Sequence, residues 1–93
     1  MTSKAEFIKG TNFVETLGSS YDLDDLVGMN TSGFYLCNSP TNRPTGTGTG
    51  FLIQISPSST VALQIFVNVN ANTMYMRKLG SGTWTAWTSA SFT

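Results

Sequence analysis

The sequence has no histidine and a single cysteine, and only 11% of its 93 residues are charged. Without histidine, the commonest general base and the commonest zinc ligand are missing. Cys37 stands alone, so no internal disulfide forms and no imidazole activates the thiol. In the apolar run Phe34-Tyr35-Leu36-Cys37 it reads as a small buried hydrophobe. The charged share is less than half the roughly 25% usual for globular chains; Thr, Ser, Asn and Gly take its place. Net charge is zero, so capture of nucleic acid or of an anionic membrane is not expected. No apolar stretch is long enough to span a bilayer, so no membrane insertion is expected. The N-terminus lacks the apolar core of a secretory signal. The chain is therefore expected to be made and folded in a reducing cytoplasm.

Carboxylates are also scarce and uneven. All five acids (Glu6, Glu15, Asp22, Asp24 and Asp25) lie in the first 25 residues, and beyond Asp25 the only charges are Arg43, Arg77 and Lys78. Asp22 is placed to cap a short helix, with Asp24 and Asp25 in its first turn, where negative charge is favourable. A calcium loop needs oxygen ligands at odd positions and Gly at the sixth. Here Leu26 and Val27 hold the fifth and sixth positions, so cap and turn is the better reading. A glycosidase needs two acids facing a sugar across about 5–9 Å, and capping already explains the only close carboxylates. No metal, no cofactor and no catalysis are expected.

What is present is an apolar ribbon from Val61 to Leu79. Its first arm alternates. Val61, Leu63, Ile65, Val67 and Val69 share one face and Ala62, Gln64, Phe66 and Asn68 the other; if Val61, Leu63, Ile65 and Val67 are the buried set, Gln64, Phe66 and Asn68 lie on the opposite face. Asn70-Ala71-Asn72 breaks the ribbon, and Thr73–Leu79 completes a predicted hairpin. Gly80-Ser81-Gly82 then turns the chain into Thr83–Thr88, giving a three-stranded meander. In the second arm, alternation separates Tyr75 and Arg77 from Met74 and Met76. Trp84 and Trp87, three apart on a predicted strand, should point to opposite faces, one in the core and one outside it.

Earlier in the chain, residues 1–20 read as an extended lead-in or shaft connection and residues 21–93 as one domain. Gly28–Gly33 is a turn, and Phe34–Cys37 and Phe51–Ile55 are strands. Between them Asn38–Gly50 holds two prolines and alternating Thr and Gly, which cannot build a regular element. It lacks the Lys-Ser/Thr and the helix of a phosphate loop, and reads either as a mobile surface loop or as a binding loop on a rigid scaffold. The predicted fold class is mainly β: a small antiparallel meander or sandwich of about five strands, with at most one short N-terminal helix.

Aromatic rings interleaved with Gln64, Asn68, Tyr75, Arg77 and Trp87 suit a neutral sugar. A ring lies against its C–H bonds, and planar amides bond pairs of hydroxyls. The same rings equally suit a core or a subunit interface.

The order Asp22-Leu23-Asp24-Asp25-Leu26, Gly33-Phe34-Tyr35, a Pro/Gly loop, Gly50-Phe51-Leu52-Ile53, Gln64-Ile65-Phe66, Met74-Tyr75-Met76-Arg77 and Gly82-Thr83-Trp84-Thr85-Ala86-Trp87 resembles the knob domains of R-type pyocin fibres and of phage tail fibres and tail spikes. The likeness covers residues 21 to about 88. It implies a β-rich knob on a homotrimeric virion fibre, attached to a bacterial surface polysaccharide. By the same reasoning Gly33, Phe34, Tyr35 and Trp84 are framework. Binding falls to the loops Asn38–Thr49 and Asn70–Thr73, which adds Asn42, Arg43 and Asn72 to the candidates. Two further readings accompany it: a structural trimerisation or capping module, and an accessory domain of a polysaccharide depolymerase spike.

Overall fold

The computed structural model describes residues 13–91. Seven strands form one sheet: β1 Phe13–Leu17, β2 Gly33–Asn38, β3 Thr49–Ser58, β4 Val61–Asn68, β5 Thr73–Gly80, β6 Thr83–Trp84 and β7 Thr88–Ser91. From β2 to β5 each strand pairs antiparallel with the next in the chain. The outer edge of β5 takes β6 at its Leu79 end and β7 at its Thr73 end. The fold is mainly β, as the alternation predicts, and among the described residues the only helical pieces are 3-10 turns at Leu23–Asp25 and Met29–Thr31. The expected hairpin is β4 and β5. Asp22 caps the first turn, its Oδ1 accepting from the Asp24 amide at 2.9 Å.

β1 lies within the expected lead-in and pairs parallel with β2. Parallel neighbours need a crossover, and residues 18–32 supply it. The crossover lies across one face of the sheet, called here the inner face, and seals it with Leu23, which is fully buried. The core is Leu17, Leu23, Tyr35, Cys37, Leu52 and Phe66. Tyr35, Leu52, Phe66 and Tyr75 stand opposite one another across four strands, forming its central row.

The next inner row is polar. Gln54, Gln64 and Arg77 stand side by side and are all buried, and Ser56 is buried beyond them. The crossover explains them. It is not a regular helix, so its buried backbone groups lack internal partners and must find them elsewhere. Gln64 Nε2 donates to the Leu23 carbonyl at 2.9 Å, and Gln54 Nε2 to the Leu26 carbonyl at 2.7 Å. Ser56 Oγ accepts from the Gly28 amide at 2.8 Å.

This corrects the expected facing of the ribbon. The alternation of β4 is as read, but its sides are exchanged. Gln64 and Phe66 are wholly buried, while Val61 and Val69 are 46% and 49% exposed. The aliphatic side chains supposed to be the buried set lie on the outer face, because the crossover's carbonyls require amide donors beneath them. Cys37 is buried as expected.

Gly50 sits on the inner face of β3. A Cβ there would collide with the Phe66 ring and with the Val67 carbonyl, so the missing side chain lets that ring approach the strand closely.

Candidate functional site

The loop between β2 and β3 is neither loose nor featureless. Pro40 and Pro44 are fully buried and Thr47 nearly so. Ser39 and Asn42 take left-handed backbone angles, φ 57° and 64°, which Asn tolerates better than most residues. Arg43 gathers the loop around itself. Its Nε donates to the Thr47 carbonyl, and its Nη1 to the Pro40 carbonyl at 3.1 Å. Asn42 joins the loop to the crossover, with Nδ2 donating to Asp22 Oδ1 at 2.7 Å and to Asp24 Oδ2 at 3.1 Å.

Facing this loop, Arg77 projects inward from β5. Its Nη1 lies 2.7 Å from Asp24 Oδ1 and its Nε donates to Gln64 Oε1 at 2.9 Å. Both tryptophans clasp the guanidinium, 4.0 Å from the Trp84 ring centre and 4.7 Å from that of Trp87. Such contacts contribute about 0.5–2 kcal/mol each, more where water is excluded. Burial lowers the Arg77 pKa, and the bond to Asp24 opposes that shift. The Trp84 indole N–H reaches the Asp24 carbonyl at 3.2 Å, and that of Trp87 the Asn42 carbonyl at 2.9 Å. Trp87 also meets Phe66 edge to face, with ring centres 6.3 Å apart.

The expected opposition of the two tryptophans is therefore corrected. Both lie on the inner face. β6 ends at Trp84, and residues 85–87 leave the strand before β7 begins, so strand parity does not carry from one ring to the other.

A cleft of about 450 Å³ opens between the loop and the C-terminal segment, lined by Asn42, Arg43, Tyr75, Arg77 and Trp87 among others. Five of the eight sequence candidates thus meet in one place. The other three do not. Gln64 lies beneath Arg77, with both ends of its amide engaged inside the fold. Asn68 turns the β4–β5 hairpin, its Oδ1 accepting from the Asn70 amide at 3.0 Å. Asn72 is exposed in that same turn.

Sequence reasoning missed Asp24 as a partner of Arg77, having assigned it to the cap alone. A signal existed: an arginine on the inner face of a strand needs a carboxylate, and past Asp25 the chain has none. What the cleft offers chemically is two guanidinium groups, an amide and two aromatic rings, a set that holds a polar ligand. Among the described residues no three His, Cys, Asp or Glu side chains are grouped so as to hold a metal ion.

Comparison with known proteins is consistent with a phage origin but does not single out the pyocin knob. Searches of curated proteins and of solved structures found no match. The family model described as the XkdV N-terminal domain matches residues 9–90, which take in the crossover, the loop and every strand up to all but the last residue of β7. The chain belongs to the XkdV N-terminal domain family, a phage-related family of tail structural proteins.

Proposed function

We propose that this chain is a non-enzymatic module of a homotrimeric tail fibre that attaches the virion to a bacterial cell-surface polysaccharide. The observation that carries the reading is the convergence of Asn42, Arg43, Tyr75, Arg77 and Trp87 on one cleft. Ring surface beside amide and guanidinium donors is the chemistry that recognises hydroxyl-rich ligands. Arg77 and the loop are held by several bonds each, so the cleft is preformed and loses little freedom on binding. Asp22 and Asp24 are committed to capping and to Arg77, so this reading gives neither a role in hydrolysis.

Thr45 lines this cleft and is exposed on the loop, so Thr45→Trp plugs the site without touching the core. Calorimetric titration of the whole chain with purified cell-wall polysaccharide should show saturable binding that Thr45→Trp abolishes. No binding by the wild type, or equal binding by the plugged variant, rejects the reading.

A second reading, a structural trimerisation or capping module that touches no receptor, is favoured by the aliphatic outer face of the sheet. Trimeric assembly with no glycan binding by the wild type would select it.

A further inference from the structure

The outer face is more apolar than the inner one. Across β2, β3, β4, β5 and β7 one row reads Leu36, Phe51, Val67, Met74, Ala90, and the next reads Phe34, Ile53, Ile65, Met76, Thr88. A third, shorter row holds Ile55, Leu63 and Lys78. Lys78, at one corner, is the only charge in the three rows, and at the β1 edge Glu15 borders Leu36 and Phe51. Phe34, Phe51, Ile55 and Met76 are 40%, 46%, 52% and 44% exposed. Five strands at about 4.8 Å spacing carry two full rows about 6.7 Å apart, and the third row spans three of them, so the patch is roughly 24 Å wide and on the order of 400 Å² in projection. That lies within the largest patches monomers expose, about 300–600 Å².

We infer that this face is an interface between copies of the chain. The inference rests on the self-assembling part of the reading above and not on its glycan part. The area argues for it: two such faces together cover on the order of 800 Å² in projection, and the relief of their side chains brings the accessible area removed near the roughly 1,000 Å² of a specific interface. The residue types argue for a copy and not a foreign partner. Apart from Lys78 at the corner, the rows carry no charged or amide group for a different surface to match, and an aliphatic face packs against another copy of itself without burying an unpaired polar group. Length fits as well. The three sides of a triangular prism about 24 Å wide lie roughly 7 Å from its axis, and side chains of packed sheets reach about 5 Å from each sheet. The long Phe and Met side chains fill what is left. Lys78 falls at the rim, where its charge stays hydrated.

The test is the solution mass of the whole chain by light scattering over a concentration series, beside the double variant Phe51→Lys/Met76→Lys. Both positions are exposed on the single chain, so the variant should keep the wild-type circular dichroism. We expect a trimeric wild type and a monomeric variant. A dimeric wild type with a monomeric variant also supports the face, with two-fold closure replacing three-fold. A wild type that stays monomeric at every concentration overturns the inference, as does a folded variant of unchanged mass. Should the double variant not fold, Phe51→Ser is read in its place by the same criterion. Glycan titration of the monomeric variant separates the two proposals, because the cleft lies on the opposite face: retained binding with lost assembly leaves each standing on its own result.

Discussion

Asp24 and Arg77, 53 residues apart in the chain, meet at 2.7 Å and join the crossover to the sheet. The guanidinium is largely enclosed, with the carboxylate at one end, Gln64 at its Nε and both indoles packed against it, and it borders the cleft. Removing the carboxylate strands a buried cation. Asp24→Ala is expected to cost about 1–3 kcal/mol in urea denaturation, less than a fully buried pair would, because the Asp24 side chain is 41% exposed. In the double variant Asp24→Ala/Arg77→Met the two losses should fall short of their sum by about 1 kcal/mol or more. Strict additivity would show that the pair is not coupled.

Gly50→Ala places a methyl group where the Phe66 ring lies. Overpacking of this kind costs about 1–3 kcal/mol. The neighbouring Gly48 has only the Ser39 hydroxyl within 4 Å, at 3.6 Å, so Gly48→Ala should stay well below that loss. Melting curves of the two variants make the comparison, and equal destabilisation would mean that the ring yields freely.

Alkali should unfold the chain in part through Cys37. Burial pushes this thiol from 9.0 up to about 12. A group whose folded pKa is raised stabilises fully below its unfolded pKa, and that stability is lost as pH rises toward the folded one. The window is therefore about pH 9 to 12, with a slope of at most about 1.4 kcal/mol per pH unit. Tyr35, also raised by burial, adds to the loss above pH 10. Cys37→Ala should flatten the curve of stability against pH most clearly just above pH 9, below the ordinary tyrosine pKa of 10.0, where Tyr35 contributes least. An unchanged slope there would assign the alkaline loss to other groups. At neutral pH the folded thiol should resist disulfide reagents and react only on unfolding.

The alternation that builds β2, β3, β4 and β5 is legible in the residues, and so is the split of Tyr75 and Arg77 from Met74 and Met76. Which side of the sheet is inner is not. Hydrophobicity points Val61, Leu63 and Ile65 inward, whereas the partners that decide the matter, the carbonyls of Leu23 and Leu26, lie 41 and 28 residues from the amide side chains that satisfy them. Local patterning holds no record of that requirement. The loop from Asn38 to Gly50 shows the same limit. Its composition says only that it is irregular, and its order comes from one arginine bonded to carbonyls on both sides of it. For the cleft, residue types named five lining groups. The strand parity used for Trp84 and Trp87 failed because the chain leaves the sheet between them.

The order of strands has a consequence for the time course of folding. β2 to β5 are sequence neighbours, joined by one ten-residue loop and two turns, so their contacts close short loops and form early. The Asp24–Arg77 latch must wait for both the crossover and the ribbon, and the Trp84 bond to the Asp24 carbonyl spans 60 residues. An interaction absent from the transition state governs escape from the native state and not arrival at it. Asp24→Ala should therefore raise the unfolding arm of a chevron plot and leave the refolding arm nearly unmoved, and slowed refolding would place the latch in the folding nucleus. On this view the pair sets the lifetime of the folded chain and not the speed with which the chain reaches that state.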